Sequence, residues 1–232
     1  MASSRKSKSS LKAASPAAKR IGLALSGGLD SVVLLDTVCK AVKANSHDPT
    51  EVWVFHIHHG LQKSADQWLE FCERLAKKYQ VHFDFRLLHF ANSAQGNIEA
   101  RARVERYDAL TDLCIEHGVE DLLLAHHQND QAETVLLQLL RGSGVAGLSG
   151  MPLHRTNVNQ GNPITLWRPL LNQSRAELEA YAKEHKLRWV EDPSNQNTRY
   201  RRNAIRKEII PKLEKIQPGA IANLARSAAL LA

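Results

Sequence analysis

From residue 20 to residue 150 the sequence keeps one beat: a short apolar run, then a longer stretch of helical period. A chain with that rhythm buries its runs as parallel strands and lays the helices against the sheet, the α/β arrangement. "RIGLAL" opens the series as a strand, and "LDSVVLLDTVCKAVKA" follows as a helix. "EVWVFHI" and "VHFDFRLL" are the next strands. The helix "SADQWLEFCERLAKKY" separates them, with Trp68, Leu69, Cys72, Leu75 and Ala76 on its apolar face. The long helix "GNIEARARVERYDALTDLCIEHG", the short strand "DLLLA" and the helix "DQAETVLLQLLRG" complete the series, and no internal repeat is present.

After Gly150 the beat weakens. "LHRTNVNQGNPI" reads as a polar loop or a loose hairpin, and "ITLWRPLL" as one more strand. Ser174 and Glu177, three apart, form a capping box at the head of the helix "SRAELEAYAKEHKL". "EDPSNQN" is turn chemistry. "RRNAIRKEIIPKLEKI" is a helix with Ile205, Ile209, Leu213 and Ile216 on its apolar face, which Pro211 should kink or break. The closing "PGAIANLARSAALLA" is an Ala/Leu helix whose apolar, uncapped end reads as a cut ahead of a further domain. The organisation this predicts is a basic tail over 1–19, a nucleotide-binding domain over 20–150, an extension with a basic helix over 151–218 that completes the catalytic unit, and the start of a linker or truncated region over 219–232.

The net charge of +7 looks like a nucleic-acid signature until it is divided along the chain. The first 20 residues carry Arg5, Lys6, Lys8, Lys12, Lys19 and Arg20 with no acid, which leaves the rest nearly neutral. That Ser, Ala and Lys-rich tail has nothing to bury and reads as disordered; an organelle transit peptide and an RNA-attracting arm fit its composition as well. Contact with RNA must therefore rest on the tail or on local clusters such as Arg199, Arg201, Arg202, Arg206 and Lys207, where Arg202 and Arg206 share a helical face. No apolar stretch reaches the roughly 18 to 20 residues of a membrane span, and the start lacks a secretory apolar core, so the cytosol is the expected compartment. Cys39, Cys72 and Cys114 are far apart in amphipathic stretches and read as core residues.

Two motifs carry chemistry. "SGGLDS", Ser26 to Ser31, stands between the first strand and the first helix, where Gly27 and Gly28 let the backbone curl into a nest of N–H donors for an anion. Ser26 and Ser31 add hydroxyls. It is not G-x-x-x-x-G-K-[ST], because Asp30 stands where that motif has lysine, and an aspartate beside phosphates makes sense when Mg2+ lies between them. The second motif, "HHQNDQAET", places His126 and His127 at the end of a strand, with Asp130 and Glu133 sharing a face near the positive end of the next helix. In a parallel sheet both motifs open on the same edge. A plainer reading makes these residues helix caps. Zinc on these histidines with His56, His58 and His59 is disfavoured, since no cysteine and no H-E-x-x-H accompany them. "GSGVAG" spells a dinucleotide fingerprint but follows a helix, not a strand.

"SGGLDS", with Leu29 as its variable residue, resembles the pyrophosphatase loop of the PP-loop superfamily, which splits ATP between its α and β phosphates and leaves AMP on an oxygen of the substrate. "HHQNDQAET" followed by "RGSGVAGLSGMP" is similar to the signature of the tRNA(Ile)-lysidine synthetases. "HIHHGL", "NIEARARVERY", "RPLL" and "EDPSNQNTRYRRNAIRKEIIPKL" fall in that family's order, over about residues 20 to 218. Asn129 departs from the aspartate expected there, leaving Asp130 as the carboxylate.

The resemblance implies a Rossmann-like, adenine nucleotide alpha hydrolase-like domain followed by a small helical segment. It also implies adenylation of the wobble cytidine of tRNA(Ile) with a CAU anticodon, then attack by the ε-amine of free lysine. ATP and Mg2+ are the implied cofactors, with Ser26, Gly27, Gly28, Leu29, Asp30 and Ser31 as the nucleotide loop and Asp30 toward the metal. Arg103 is the candidate cation for the phosphates, and Arg106 its structural neighbour. Asp130 and Glu133 suit either the lysine ammonium or Mg2+, and His126 or His127 suits the base that the amine needs. Homodimerisation stays open. The rivals are a tRNA thiolase, which would need a reactive cysteine, and a noncatalytic nucleotide or RNA-binding module.

Overall fold

The computed structural model describes residues 18–45, 49–58, 65–88, 98–159 and 161–232. The tail through residue 17 and His59 lie outside the described residues. The predicted beat is present: β1 (Lys19–Ala24), α1 (Leu29–Ala44), β2 (Thr50–His58), α2 (Ala65–Tyr79), β3 (His82–Leu87), α3 (Ile98–Glu116), β4 (Asp121–Leu123) and α4 (Gln128–Leu139). After the short α5 (Val145–Leu148) come β5 (His154–Asn159), β6 (Asn162–Trp167) and α6 (Arg175–Glu184). A 3-10 turn at Pro193–Gln196 leads into α7 (Arg201–Ala204), α8 (Ile210–Ile216) and α9 (Ala220–Leu231).

The six strands form one sheet in the order β3-β2-β1-β4-β6-β5. Every pairing is parallel except that of β5 with β6. The polar stretch after Gly150 is thus a hairpin, and its second strand joins the sheet beside β4, with Leu122 opposite Leu166. The alternation of side chains along a strand divides the core in two. Leu23, Leu25, Val52 and Val54 face α1, Cys72 of α2, and Leu178 and Ala182 of α6. Phe55, Ile57, Leu122, Leu124, Ile164 and Leu166 face Ala109, Leu110, Leu113 and Cys114 of α3. All three cysteines are buried, as their sequence context predicts, and burial pushes their thiols up to about 11 for Cys39 and about 12 for Cys72 and Cys114.

Pro211 neither kinks nor breaks its helix in the simple sense. Proline has no N–H to give and its ring crowds the carbonyl four residues back, so the preceding turn widens, and Ile205–Ile209 is π-helical. The wider turn shifts the apolar face that helical spacing predicts. Ile205 and Ile210 are buried, five apart, while Ile209 and Ile216 are exposed.

At the centre of the sheet β1 passes close under Phe55. A Cβ on Gly22 would come within 3.0 Å of both Phe55 Cε2 and Val119 Cγ1. Replacing Gly22 by alanine is expected to cost about 1–3 kcal/mol of stability through overpacking, read as a lowered urea midpoint with an unchanged slope.

Candidate functional site

In an open parallel sheet, ligands settle outside the carboxyl ends of the strands where the strand order reverses. Here that point lies between β1 and β4, neighbours that run parallel with Leu23 opposite Leu123. The chain leaves β1 into the Ser26–Ser31 loop and leaves β4 into His126 and His127, so both motifs stand at one edge. Sequence reasoning placed them there.

The loop is held from within. Gly27 takes φ +86°, a conformation that glycine adopts without strain, and a Cβ there would press on Val190 and Cys72. The Val190 N–H donates to the Gly27 carbonyl at 2.9 Å, the Ser31 hydroxyl donates to the Gly28 carbonyl at 2.9 Å, and the two serine hydroxyls lie 3.2 Å apart. Gly28 precedes α1 without a side-chain cap, so the positive end of that helix stays available to an anion.

Asp30, in the first turn of α1, receives Arg175 Nη1 on both carboxylate oxygens, at 2.8 and 3.0 Å. His127 Nε2 lies 3.7 Å from it. Burial raises the Asp30 carboxyl above its ordinary range against the pull of His127 and Arg175, and Asp130 adds to the rise. Its carboxylate and the Ser26 and Ser31 hydroxyls are hard oxygen donors of the kind Mg2+ takes, so the residues present fit that ion.

α4 begins with a capping box of unusual composition. The Asn129 N–H donates to His127 Nδ1 at 3.2 Å, and the His127 N–H donates to Asp130 Oδ2 at 3.1 Å. His127 is therefore a cap as well as a neighbour of two carboxylates. Asn129 uses its side-chain oxygen to accept the Arg175 N–H at 2.9 Å, which docks α6 against α4.

Glu133 is fully buried. Its oxygens accept from Arg202 Nε at 2.6 Å, Arg206 Nε at 2.6 Å and Arg206 Nη2 at 3.0 Å. Asp130 Oδ1 accepts from Arg202 Nη2 at 3.0 Å; burial pushes this carboxyl up, but His127 and then Arg202 outweigh it and hold the carboxyl below its ordinary range. The basic helical face expected at Arg202 and Arg206 is thus turned inward: these two guanidiniums pair with the two carboxylates. Arg199 and Arg201 are exposed.

His126 stands next to this quartet, and its Nδ1 is buried with no hydrogen-bond partner among the described residues. Burial pushes its pKa down to about 3; Asp130 opposes that, while Arg168, Arg103 and Arg202 add to it. So acidic an imidazole is a poor match for removing a proton from an ammonium group. Arg103 is exposed, its Nη2 donates to the Tyr107 hydroxyl at 3.3 Å, and its guanidinium lies 5.1 Å from that ring's centre. Arg106 is also near, and burial lowers its pKa.

Sequence reasoning missed Arg168 and Arg175. Arg168 is 6% exposed, donates Nη1 to the Pro152 carbonyl at 2.7 Å and has an Nε with no hydrogen-bond partner among the described residues. Its only signal was its place in "RPLL". Arg175 carried none beyond following an N-cap. Among the described residues the histidines at the strand ends form no metal cluster: His56 Nδ1 bonds the Leu25 carbonyl and His58 faces Asp66.

Residues 2–213 match the model of the PP-loop domain family. The chain is 47% identical over 212 residues to the tRNA(Ile)-lysidine synthase of Ralstonia nicotianae, covering 91% of this chain and 44% of that protein. It is 44% identical over 209 residues to the tRNA(Ile)-lysidine synthase of Burkholderia mallei, covering 90% of this chain and 41% of that protein. The chain thus spans less than half the length of these relatives. Among solved structures, a U34-tRNA thiolase of Methanococcus maripaludis shares the fold, with a TM-score of 0.77 at 18% identity over 92% of this chain and 72% of that one.

A histidine whose folded pKa lies below its ordinary 6.5 favours the unfolded chain once protons bind. The stability linked to His126 is complete above about pH 6.5 and falls as acid is added. Between pH 7.5 and pH 5 this one group is expected to remove up to about 2 kcal/mol. Urea denaturation at the two pH values should show that loss in the natural protein and a smaller one in His126→Gln.

Proposed function

The chain belongs to the PP-loop domain family, and from that premise we propose that it is the ATP-using catalytic part of a tRNA(Ile)-lysidine synthase. The observation that carries the reading is the meeting, at one sheet edge, of the Ser26–Ser31 nest with the Asp130, Glu133, Arg202 and Arg206 quartet. In this reading the C2 oxygen of the wobble cytidine in a CAU anticodon attacks the α-phosphorus of ATP, and the bond to pyrophosphate breaks. The ε-amine of lysine then attacks C2, and the C2–oxygen bond breaks to release AMP.

The loop N–H groups and the Ser26 and Ser31 hydroxyls would bind the departing pyrophosphate. Asp30 would hold Mg2+, which when bound offsets charge on the phosphates. Arg202 and Arg206, oriented by Glu133, are placed to act on charge that builds near Asp130. Because the carboxylates already hold guanidiniums, a lysine ammonium would enter as a third cation around Asp130, where Arg206 can give up its 3.5 Å contact with Asp130 while keeping Glu133. His126, neutral at working pH, would offer a hydrogen bond and not a proton store. Arg103, exposed at the end of this cluster, suits the RNA or α-phosphate side.

The thiolase alternative has less support. Its sulfur chemistry would need a thiolate, and the three buried thiols are all pushed up by their surroundings. No helix of the described residues is long and apolar enough to cross a membrane.

Labelled lysine incubated with ATP, Mg2+, unmodified CAU-anticodon tRNA and the protein should enter RNA, with no label when ATP is omitted and a loss of at least about 100-fold in Asp130→Asn. Pyrophosphate without label would move the acceptor away from tRNA(Ile); neither product would leave a binding module. A separate measurement addresses RNA contact. Removing charge at exposed Arg199 and Arg201 should reduce the salt slope of tRNA binding by about 1 to 2, with little change in stability. Removing Arg202 should lower stability first, since it takes one of two guanidiniums from the buried Glu133.

A further inference from the structure

Arg175 belongs to none of the motifs above, yet it sits at the mouth of the phosphate nest. Its place is fixed from three directions. Its N–H donates to Asn129, its Nε donates to Glu179 Oε1 at 2.9 Å, and its Nη1 rests on Asp30. The helix that carries it is tied to α1 by the buried Asp36. That carboxylate accepts from the Tyr181 hydroxyl at 2.6 Å and the Tyr79 hydroxyl at 2.7 Å, and pairs with Lys40 at 2.8 Å. The Lys40 ammonium also donates to the Tyr181 hydroxyl.

The guanidiniums at this edge differ in how firmly they are held. Arg202 and Arg206 serve a carboxylate with no exposure and cannot leave it without stranding a buried charge. The Arg175–Asp30 pair differs at its acceptor, whose side chain is 27% exposed, so the guanidinium can leave without stranding a carboxylate cut off from water. Its acceptor, Asp30, is the carboxylate suited to a metal, two residues beyond Gly28 on the helix whose N-terminus has no side-chain cap among the described residues.

We propose that Arg175 is a ligand of the ATP phosphates that rests on Asp30 while no nucleotide is bound. When the nucleotide arrives, the guanidinium moves to pyrophosphate oxygens and Asp30 is released to Mg2+, so one cation replaces another on the same carboxylate. A planar guanidinium suits phosphate oxygens in this role because it can offer two parallel N–H donors. Asn129 serves as the positioning residue: its neutral oxygen fixes the start of α6 without adding a second negative charge to compete with Asp30 for Arg175. This inference rests on the PP-loop reading of the site.

The test uses inorganic pyrophosphate with Mg2+ by calorimetry, and Mn2+ without phosphate by the resonance signal of the free ion. The proteins are the natural chain, Arg175→Gln and Arg175→Lys. Arg175→Gln is expected to bind pyrophosphate at least tenfold more weakly and Mn2+ several-fold more tightly, because Asp30 has lost its competing cation. Arg175→Lys should keep part of the pyrophosphate affinity. Unchanged pyrophosphate affinity, or Mn2+ affinity that fails to rise, overturns the exchange. If Arg175→Gln does not fold, Arg175→Lys decides, and natural affinity for both probes overturns the proposal. A natural protein that binds neither pyrophosphate nor ATP would remove the nucleotide reading itself, a result visible before any substitution is made.

Discussion

A fully buried carboxylate, Glu133, sets the terms on which the second half of the chain folds. A charge without water must be paired and hydrogen-bonded, and stranding one by removing its partner costs about 3–5 kcal/mol. Its partners, Arg202 and Arg206, come from some seventy residues further along the sequence. The helical segment after β6 is therefore fastened to the nucleotide-binding sheet through the candidate site. The widened turn before Pro211 is part of that fastening, since it lets Ile205 and Ile210 be buried while the arginines reach inward.

The same logic of paired charge runs across the edge of the sheet. Asp30 meets Arg175, and Asp130 meets Arg202 and the peptide N–H of His127. Asp30 senses Asp130, His127 and Arg206 as well, so these groups form one electrostatic unit. Its members differ in exchangeability. The Glu133 pairs rest on a carboxylate with no exposure, whereas the carboxylate of the Asp30 pair is partly exposed.

Much of this was legible. The strand and helix beat, the two motif positions and the Ser174–Glu177 capping box follow from periods of two and 3.6 and from local cap chemistry, and each appears as the spacing implies. The hairpin after Gly150 was half legible, because its polar outer strand, Val158 excepted, offers almost no alternation to read. The stripe beyond Arg201 was misplaced by one residue, since a count in steps of 3.6 has no means of anticipating a π-helical turn.

Local pattern was enough for the parallel strands through β4, the glycine-lined turn at the end of β1 and the placing of Asp130 and Glu133 on the facing helix, because those depend on neighbours a few residues apart. The partner of each charge came from packing. It turned Arg202 and Arg206 from an expected outer face onto Glu133, put Arg175 on Asp30, made His127 a cap and left His126 neutral. The reason is physical: an ion pair between residues 69 to 145 positions apart leaves no periodic trace in the sequence, and a side chain's protonation follows from burial that only the packed chain creates.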